Sequence, residues 1–458
     1  MSGPMALEPG GTGGDTLSLR LADARTPVAS APGPGADRDA VDRLAAELAD
    51  GIGPAVHPYE VAALLESEGL TAEVIQERYG HPNLFSLASA LYERVPRTFP
   101  EPPRPADPWR PDHVRCALRG ALFALPGLAH LLTAPLWHAG RDLRVLVVAG
   151  LVSWAWGQAL GHRAYVRMAT GRREAGRTLL TGAPLGALAA TGAGALTAGS
   201  GTAIGVAAAQ SAYLAAAGVL LVLGGERLLL AALTPLIAGA AALPWWDPGA
   251  VPRAGLALLS VLGALAAAGW ALRTALAASP VPEASRPSPL RSLPYGVFGL
   301  AAGVLVLLEG RQHPYAVVVL TVSMGPAEWL LYRYRGMSVS VLRATATPAV
   351  FLLRSSGVLA LCLLLYVLPL LPAALLTGSE PAPLLLLAAT LWTALLLQAF
   401  GAAWQPAVVC LAAACGAASA VLLRSLPGAQ VLTLSCGAAC LCLAVCAVRL
   451  LGRPAPHA

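Results

Sequence analysis

From Cys116 onward the chain repeats one feature that few folds accommodate: stretches of about 20 residues of Ala, Leu, Val and Gly, almost free of charge. About 20 apolar residues carry a helix across the hydrocarbon core of a bilayer. Backbone in hydrocarbon must satisfy its own hydrogen bonds, which leaves the helix as the solution for runs of this length. On that criterion spans fall near 117–137, 145–162, 178–198, 203–224, 228–246 and 254–273. After a break from Ala278 to Ser292, six more fall near 293–309, 314–332, 355–376, 382–403, 405–423 and 429–448. The turns within 203–246 and 382–423 are short, so the count is eleven or twelve. The expected fold class is an all-α integral membrane protein of about twelve transmembrane helices.

Charge separates the chain into two objects. Residues 1 to 112 hold 9 Arg against 17 acids, whereas residues 113 to 458 hold 22 Arg against 8. All 31 basic residues are Arg. In the second object they sit in short loops, where they set membrane orientation rather than grip a polyanion, so no nucleic-acid partner is expected. Residues 1–37 read as a disordered tail, because their Gly, Pro, Ala and Asp leave too little apolar surface to offset ordering. Residues 38–97 read as a cytosolic bundle of about four short helices, with Leu, Val, Ile, Phe85 and Tyr92 in its core. Helices open at His57-Pro58 and His81-Pro82, and another runs from Thr71 to Tyr79 and stops at Gly80. A proline-rich tether follows at 98–114. The remaining divisions are a first membrane half, 115–278, a cytosolic linker, 279–292, a second half, 293–450, and a cytosolic tail, 451–458. No leader is visible before the first apolar run.

Placing the N terminus inside puts 17 membrane-region arginines on the inner side. Five, Arg141, Arg144, Arg253, Arg311 and Arg424, fall outside. The bias favours an even number of spans with both termini cytoplasmic in the cell membrane. Trp245, Trp246 and Trp404 stand at span ends as interfacial anchors.

Shifted by 170 residues, the sequence matches itself. Gly140-Arg141 aligns with Gly310-Arg311, Val147-Val148 with Val317-Val318, Val152-Ser153 with Val322-Ser323, Leu160 with Leu330 and Arg163 with Arg333. Two six-span halves in the same orientation are related by an axis along the membrane normal and leave a central cleft, the geometry of an alternating-access carrier.

The segment LGHRAYVRMATGRREAGRTLL, ending at Leu180, resembles the second-to-third loop of the multidrug/oligosaccharidyl-lipid/polysaccharide (MOP) flippase superfamily. Tyr213 to Leu233 is similar to the fourth-to-fifth turn of that group, and the run to Leu272 to its sixth span. The resemblance spans roughly residues 115 to 450 and implies a polysaccharide-exporter-like transporter. The soluble N-terminal region departs from that pattern. Major facilitator carriers share the six-plus-six layout; Gly171-Arg172-Arg173 fits them, but no Asp lies between Gly161 and Gly171.

Candidate substrate or coupling residues are the polar groups within spans. Glu328 is the acid placed well inside one, and a carboxylate there costs about 2.5 to 3.5 kcal/mol at the centre, less toward an interface. Its repeat mate is Gln158, so the two are expected on opposite walls of the cleft. The alternative is an ion pair between Glu328 and Arg333 or Arg335. His130 titrates near neutral pH when free. Gln210, Tyr213 and Gln398 either line a wet cavity or hydrogen-bond neighbouring helices. The acids Asp142, Asp247, Glu309 and Glu380 fall in outer loops.

Seven of the eight cysteines lie in apolar runs, where thiols pack. Cys436, Cys440, Cys442 and Cys446 share their run with no His or carboxylate, so no metal is expected. No catalytic motif and no Lys-bearing phosphate loop occurs, so neither an enzyme nor a cofactor is expected. The functional expectation is a flippase-like exporter of a lipid-linked saccharide, envelope polymer or amphipathic molecule, with the bilayer itself as partner. A membrane scaffold whose 38–97 bundle docks a cytosolic protein, or a major-facilitator-type carrier, is the alternative.

Overall fold

The computed structural model describes residues 38–98, 111–136, 142–197, 199–245, 247–280, 288–423 and 427–455. The expected tail at 1–37, most of the tether and the linker's centre lie outside them, as do Gly140, Arg141, Trp246, Arg286 and Arg424. The chain divides into two compact units, Met1–Ala106 and Asp107–Ala458.

Among its described residues the first unit contains five helices: α1 (Arg38–Glu47), α2 (Ala49–Ile52), α3 (Pro58–Ser67), α4 (Ala72–Tyr79) and α5 (Leu84–Arg94). Side chains cap three of them. His57 accepts from Tyr59 N, Thr71 from Val74 N and Asn83 from Ser86 N, each satisfying an amide that the helix leaves free. The last helix therefore opens on Asn83, not on His81-Pro82. Val41, Leu65, Ile75, Leu87 and Leu91 form the core. Phe85, expected inside, is 56% exposed and meets Tyr59 edge-on. The buried face of α5 is set by Leu87, Ala88 and Leu91, and Phe85 lies off that stripe.

The second unit is all helix among its described residues. Its first half holds α6 (His113–Ala124), α7 (Gly127–Thr133), α8 (Leu143–Thr170), α9 (Arg172–Ala195), α10 (Gly201–Leu223), α11 (Glu226–Ala242) and α12 (Ala250–Leu276). Its second half holds α13 (Leu293–Gln312), α14 (Pro314–Val322), α15 (Met324–Arg343), α16 (Pro348–Val367), α17 (Leu370–Leu376), α18 (Pro381–Ala399), α19 (Trp404–Leu422) and α20 (Gly428–Leu451). Ten rods among the described residues are long and apolar enough to cross a bilayer. In that count α6 with α7, α14 with α15, and α16 with α17 each form one broken rod.

Helices α9 and α11 stand where the third and fifth spans are expected. The first opens on Arg172, Arg173, Glu174 and Arg177. The second has 17 residues, a rise of about 25 Å against a core of about 30 Å. The second and eighth spans overrun their expected ends, reaching Thr170 and Arg343. The last turn of the second span carries Arg167, paired with Glu174 at 2.6 Å, and the eighth ends on Arg343, which is exposed.

The two halves repeat their packing. Helix α8 packs on α9 and α10, α10 on α12, and α11 on α12; correspondingly α15 packs on α16, α18 on α20, and α19 on α20. Across the halves α6 meets α14 and α15, while α13 meets α8. These are first-to-eighth and seventh-to-second span contacts, which a two-fold exchange of halves interconverts.

Side-chain bonds mark the two ends of the unit. Arg115 to Glu226, Arg172 to Leu223, Arg173 to Ala278 and His162 to Ser292 tie together one end, rich in arginine. Asp142 to Ser200 and Arg253 to Leu132 tie together the other. The tight turn at the first end needs Gly224 at φ +78°, which lets α11 start with only two residues between it and the end of α10.

Candidate functional site

A cavity of about 970 Å³ lies between the halves. Its walls come chiefly from α8, α13, α14 and α18. It reaches Leu143, Arg311 and Pro314 at the end opposite the arginine-rich one, and it stops on Phe123, Met324 and Ala327. Trp154, Tyr366 and Trp392 add aromatic surface, while Gln210, His130, Thr321 and Arg311 supply most of its polar groups.

Below that floor the halves close on each other twice. At the first crossing Gly120 of α6 meets Gly325 of α15. A Cβ on Gly120 would stand 3.0 Å from Gly325 Cα, and one on Gly325 would stand 2.8 Å from Cys116 O. Only glycine allows backbones this close. Pro326, next in line, lacks the amide that Val322 O would accept, and the eighth span breaks at Ser323.

One turn further, Arg119 Nη1 lies 2.6 Å from Glu328 Oε1. The same guanidinium lies 3.1 Å from Glu226 Oε1, which also accepts from Arg115 Nε at 2.8 Å. Trp329 Nε1 donates to His113 Nδ1 at 2.9 Å. Charged groups so placed lose water but keep partners, which is what makes their burial tolerable.

The second crossing is the symmetric one, α8 on α13. Gly296, Gly299 and Gly303 receive Ala155, Gln158 and Leu151, with a Cβ on Gly299 only 2.8 Å from Gln158 Cγ. Beyond them the His162 ring stacks on Tyr295 at 3.8 Å between centroids, and His162 Nδ1 lies 3.0 Å from Ser292 Oγ. An ion pair therefore occupies one crossing and an aromatic stack the other.

The expected residues separate into three groups. His130 and Gln210 line the cavity, and Gln210 Nε2 also donates to Leu146 O at 3.3 Å. Glu328 and Gln158 do not line it. They lie where the halves meet beneath it, because Glu328 is one turn past Met324 at the floor and Gln158 one turn past Trp154. The partner of Glu328 is Arg119, not Arg333 or Arg335, whose guanidiniums lie over the Trp329 and Phe400 rings. Tyr213 and Gln398 are buried, and Tyr213 Oη and Gln398 Nε2 find no hydrogen-bond partner among the described residues.

Sequence reasoning passed over Arg119, Glu226 and His162 as candidates. It also placed Glu309 in a loop. Glu309 sits instead in the last turn of α13, 1% exposed, with neither carboxylate oxygen bonded among the described residues. The signal was available: no proline follows Pro294 before Pro314, so the helix continues to Gln312, and α19 and α20 pack on it. By contrast Glu174 is buried between Arg167 and Arg177, at 2.6 and 2.9 Å. No three metal-ligating side chains gather among the described residues.

No protein-family model matches the chain, and no curated protein matches it. Two solved structures are similar to it, each 14% identical with a TM-score of 0.42. One is the crystal structure of a point mutant of a MATE protein, and the match covers 74% of this chain and 94% of that one. The other is an outward-facing multidrug resistance MATE family transporter of the MOP superfamily, with 75% of this chain and 97% of that one covered.

Proposed function

We propose that the membrane unit is an alternating-access carrier of an amphipathic molecule, with its cleft open to the outside in this structure. The observation that carries this is the cavity between two like halves, open at one end and closed at the other by two symmetric crossings. A carrier needs a barrier that can part. Crossings built on glycine and an ion pair with a second acceptor in reach, Glu226, provide one. The arginine bias makes the closed end cytoplasmic and the open end external. Export of a lipid-linked saccharide or envelope polymer is the form of this activity that the sequence resemblance favours.

Coupling falls to Glu309. A buried carboxylate with no partner among the described residues is costly and gains most from binding a proton or cation. Glu328, already paired, serves the inner barrier instead.

Single cysteines in a cysteine-free background test the reading. Position 321, in the cavity, should react from outside in the resting state and lose that reactivity when a substrate or ion gradient drives turnover. Position 172 should react only from the cytoplasm and position 312 only from outside. A position 321 that stays equally open under every gradient would defeat the carrier reading.

A further inference from the structure

The two halves treat the arginines of their common end differently. In the first half two buried acids stand among them: Glu226 pairs with Arg115 and Arg119, and Glu174 with Arg167 and Arg177. The second half has no such acid. From Trp329 to Ala458 the one acidic side chain is Glu380, which lies beyond the far end of the rod Pro348–Leu376. Arg333 and Arg335 lie over the rings of Trp329 and Phe400. Arg343, Arg354, Arg449 and Arg453 are exposed and have no ion-pair partner among the described residues.

Packing brings three of these four together. Helix α16 starts at Pro348, where the span was expected only from Ser355, and its first turns meet the end of α20. A Cβ on Gly452 would run into the Leu352 side chain, and Ser355 Oγ donates to Leu451 O at 3.5 Å. Arg354 is the chain neighbour of Ser355 and Arg453 of Gly452, and Arg449 stands one turn before Arg453 on the same face. Beside them Val350, Leu352 and Leu353 are exposed, Leu353 at 75%. A soluble anion would neutralise these arginines and leave the leucines uncovered. A neutral lipid would cover the leucines and leave the charge uncompensated. An acidic protein segment would meet the charge but would have to displace acyl chains from the leucines. A phospholipid of net negative charge satisfies both, its phosphate binding guanidinium through paired N–H groups.

We infer that the junction between the start of α16 and the end of α20 is a binding site for an anionic phospholipid, with a two-phosphate head bridging Arg354 and the Arg449–Arg453 pair and acyl chains on Leu352 and Leu353. None of these residues lines the cavity, and the inference does not depend on the carrier reading.

The test uses the full chain in uncharged detergent micelles, titrated with cardiolipin, phosphatidylglycerol or phosphatidylcholine, with bound lipid counted by native mass spectrometry. Cardiolipin should bind about fivefold more tightly than phosphatidylglycerol, and phosphatidylglycerol about fivefold more tightly than phosphatidylcholine, the scale of one arginine near a phosphate. Arg354→Gln and Arg453→Gln should each weaken cardiolipin about fivefold, and Arg354→Lys, which keeps the charge, should recover most of that loss. Arg227→Gln and Arg273→Gln change exposed arginines at the same end of the first half and should leave cardiolipin binding unchanged. Leu353→Asn should weaken cardiolipin and phosphatidylglycerol alike. Melting temperature in lipid-free micelles, unchanged in every variant, shows that the fold is intact. Phosphatidylcholine bound as tightly as cardiolipin overturns the inference, as does a loss in Arg227→Gln or Arg273→Gln equal to that in Arg354→Gln. Displacement of cardiolipin by soluble polyglutamate at equal charge would also overturn it and assign the patch to an acidic protein.

Discussion

Arg119 Nη1 and Glu328 Oε1, 2.6 Å apart, join the first span of one half to the eighth span of the other, with side chains 14% and 21% exposed. The pair lies one turn beyond the Gly120–Gly325 crossing, so it holds shut the end of the cleft that the cavity does not reach. Because Glu226 stands on the other side of Arg119, loss of Glu328 leaves the guanidinium paired within its own half.

Glu328→Gln should therefore open the inner barrier without unfolding the chain. We expect a shift of about 1–3 kcal/mol in the balance of states, less than for a fully isolated buried pair. Cys116, 4% exposed beside Gly325, is a native reporter. With the other seven cysteines replaced, its alkylation from the cytoplasm should rise in Glu328→Gln while protein abundance holds. Unchanged alkylation would remove Glu328 from the barrier.

The glycine crossing has its own test. Gly325→Ala puts a methyl 2.8 Å from a backbone oxygen, which cannot yield as a side chain does. We expect it to destabilise the closed end by about 1–3 kcal/mol and to expose Cys116. Gly357→Ala and Gly416→Ala, whose added Cβ meets nothing within 4 Å, should be neutral or stabilising by up to about 1 kcal/mol through helix propensity.

Glu309→Gln separates coupling from architecture. A neutral isostere keeps the side chain's shape but cannot ionise at a buried site with no hydrogen-bond partner among the described residues, so thermal stability should hold or rise while gradient-driven transport is lost. A fall in melting temperature together with lost abundance would mean that the carboxylate is held by a structural partner.

The first unit should fold alone as residues 38–98, since its core is self-contained. Leu87→Ala, at a fully buried site, should cost about 2–5 kcal/mol, enough to unfold a domain of this size. Its His81 is 8% exposed, bonded to Ser86 Oγ, and has its pKa lowered first by burial and then by Arg94. The unfolded chain thus binds the proton more readily than the folded one. Stability should be constant above about pH 6.5, fall as pH drops through that value, and level off below the folded pKa. Chemical denaturation of the fragment from pH 8 to 5, with His81→Gln removing the dependence, measures it.

Features legible in the sequence were local ones. Apolar run length gave the helical membrane architecture, and the 170-residue match gave the like halves. Thr71 marked a helix start, because a cap depends only on its own first turn, whereas the start at Asn83 was misread as His81-Pro82. His130 and Gln210 stood out as polar side chains in apolar runs, but that both line the cavity follows only from the packing of the helices. Which residues meet was settled only by the packing of the helices. Glu328 sits close in sequence to Arg333 and Arg335 yet pairs with Arg119, 209 residues away. Glu309 changed from a loop acid to a buried one because α19 and α20 pack on α13. A carboxylate's cost and role depend on the charges and water within a few ångströms of it, and in a folded chain most of those come from elsewhere in the sequence.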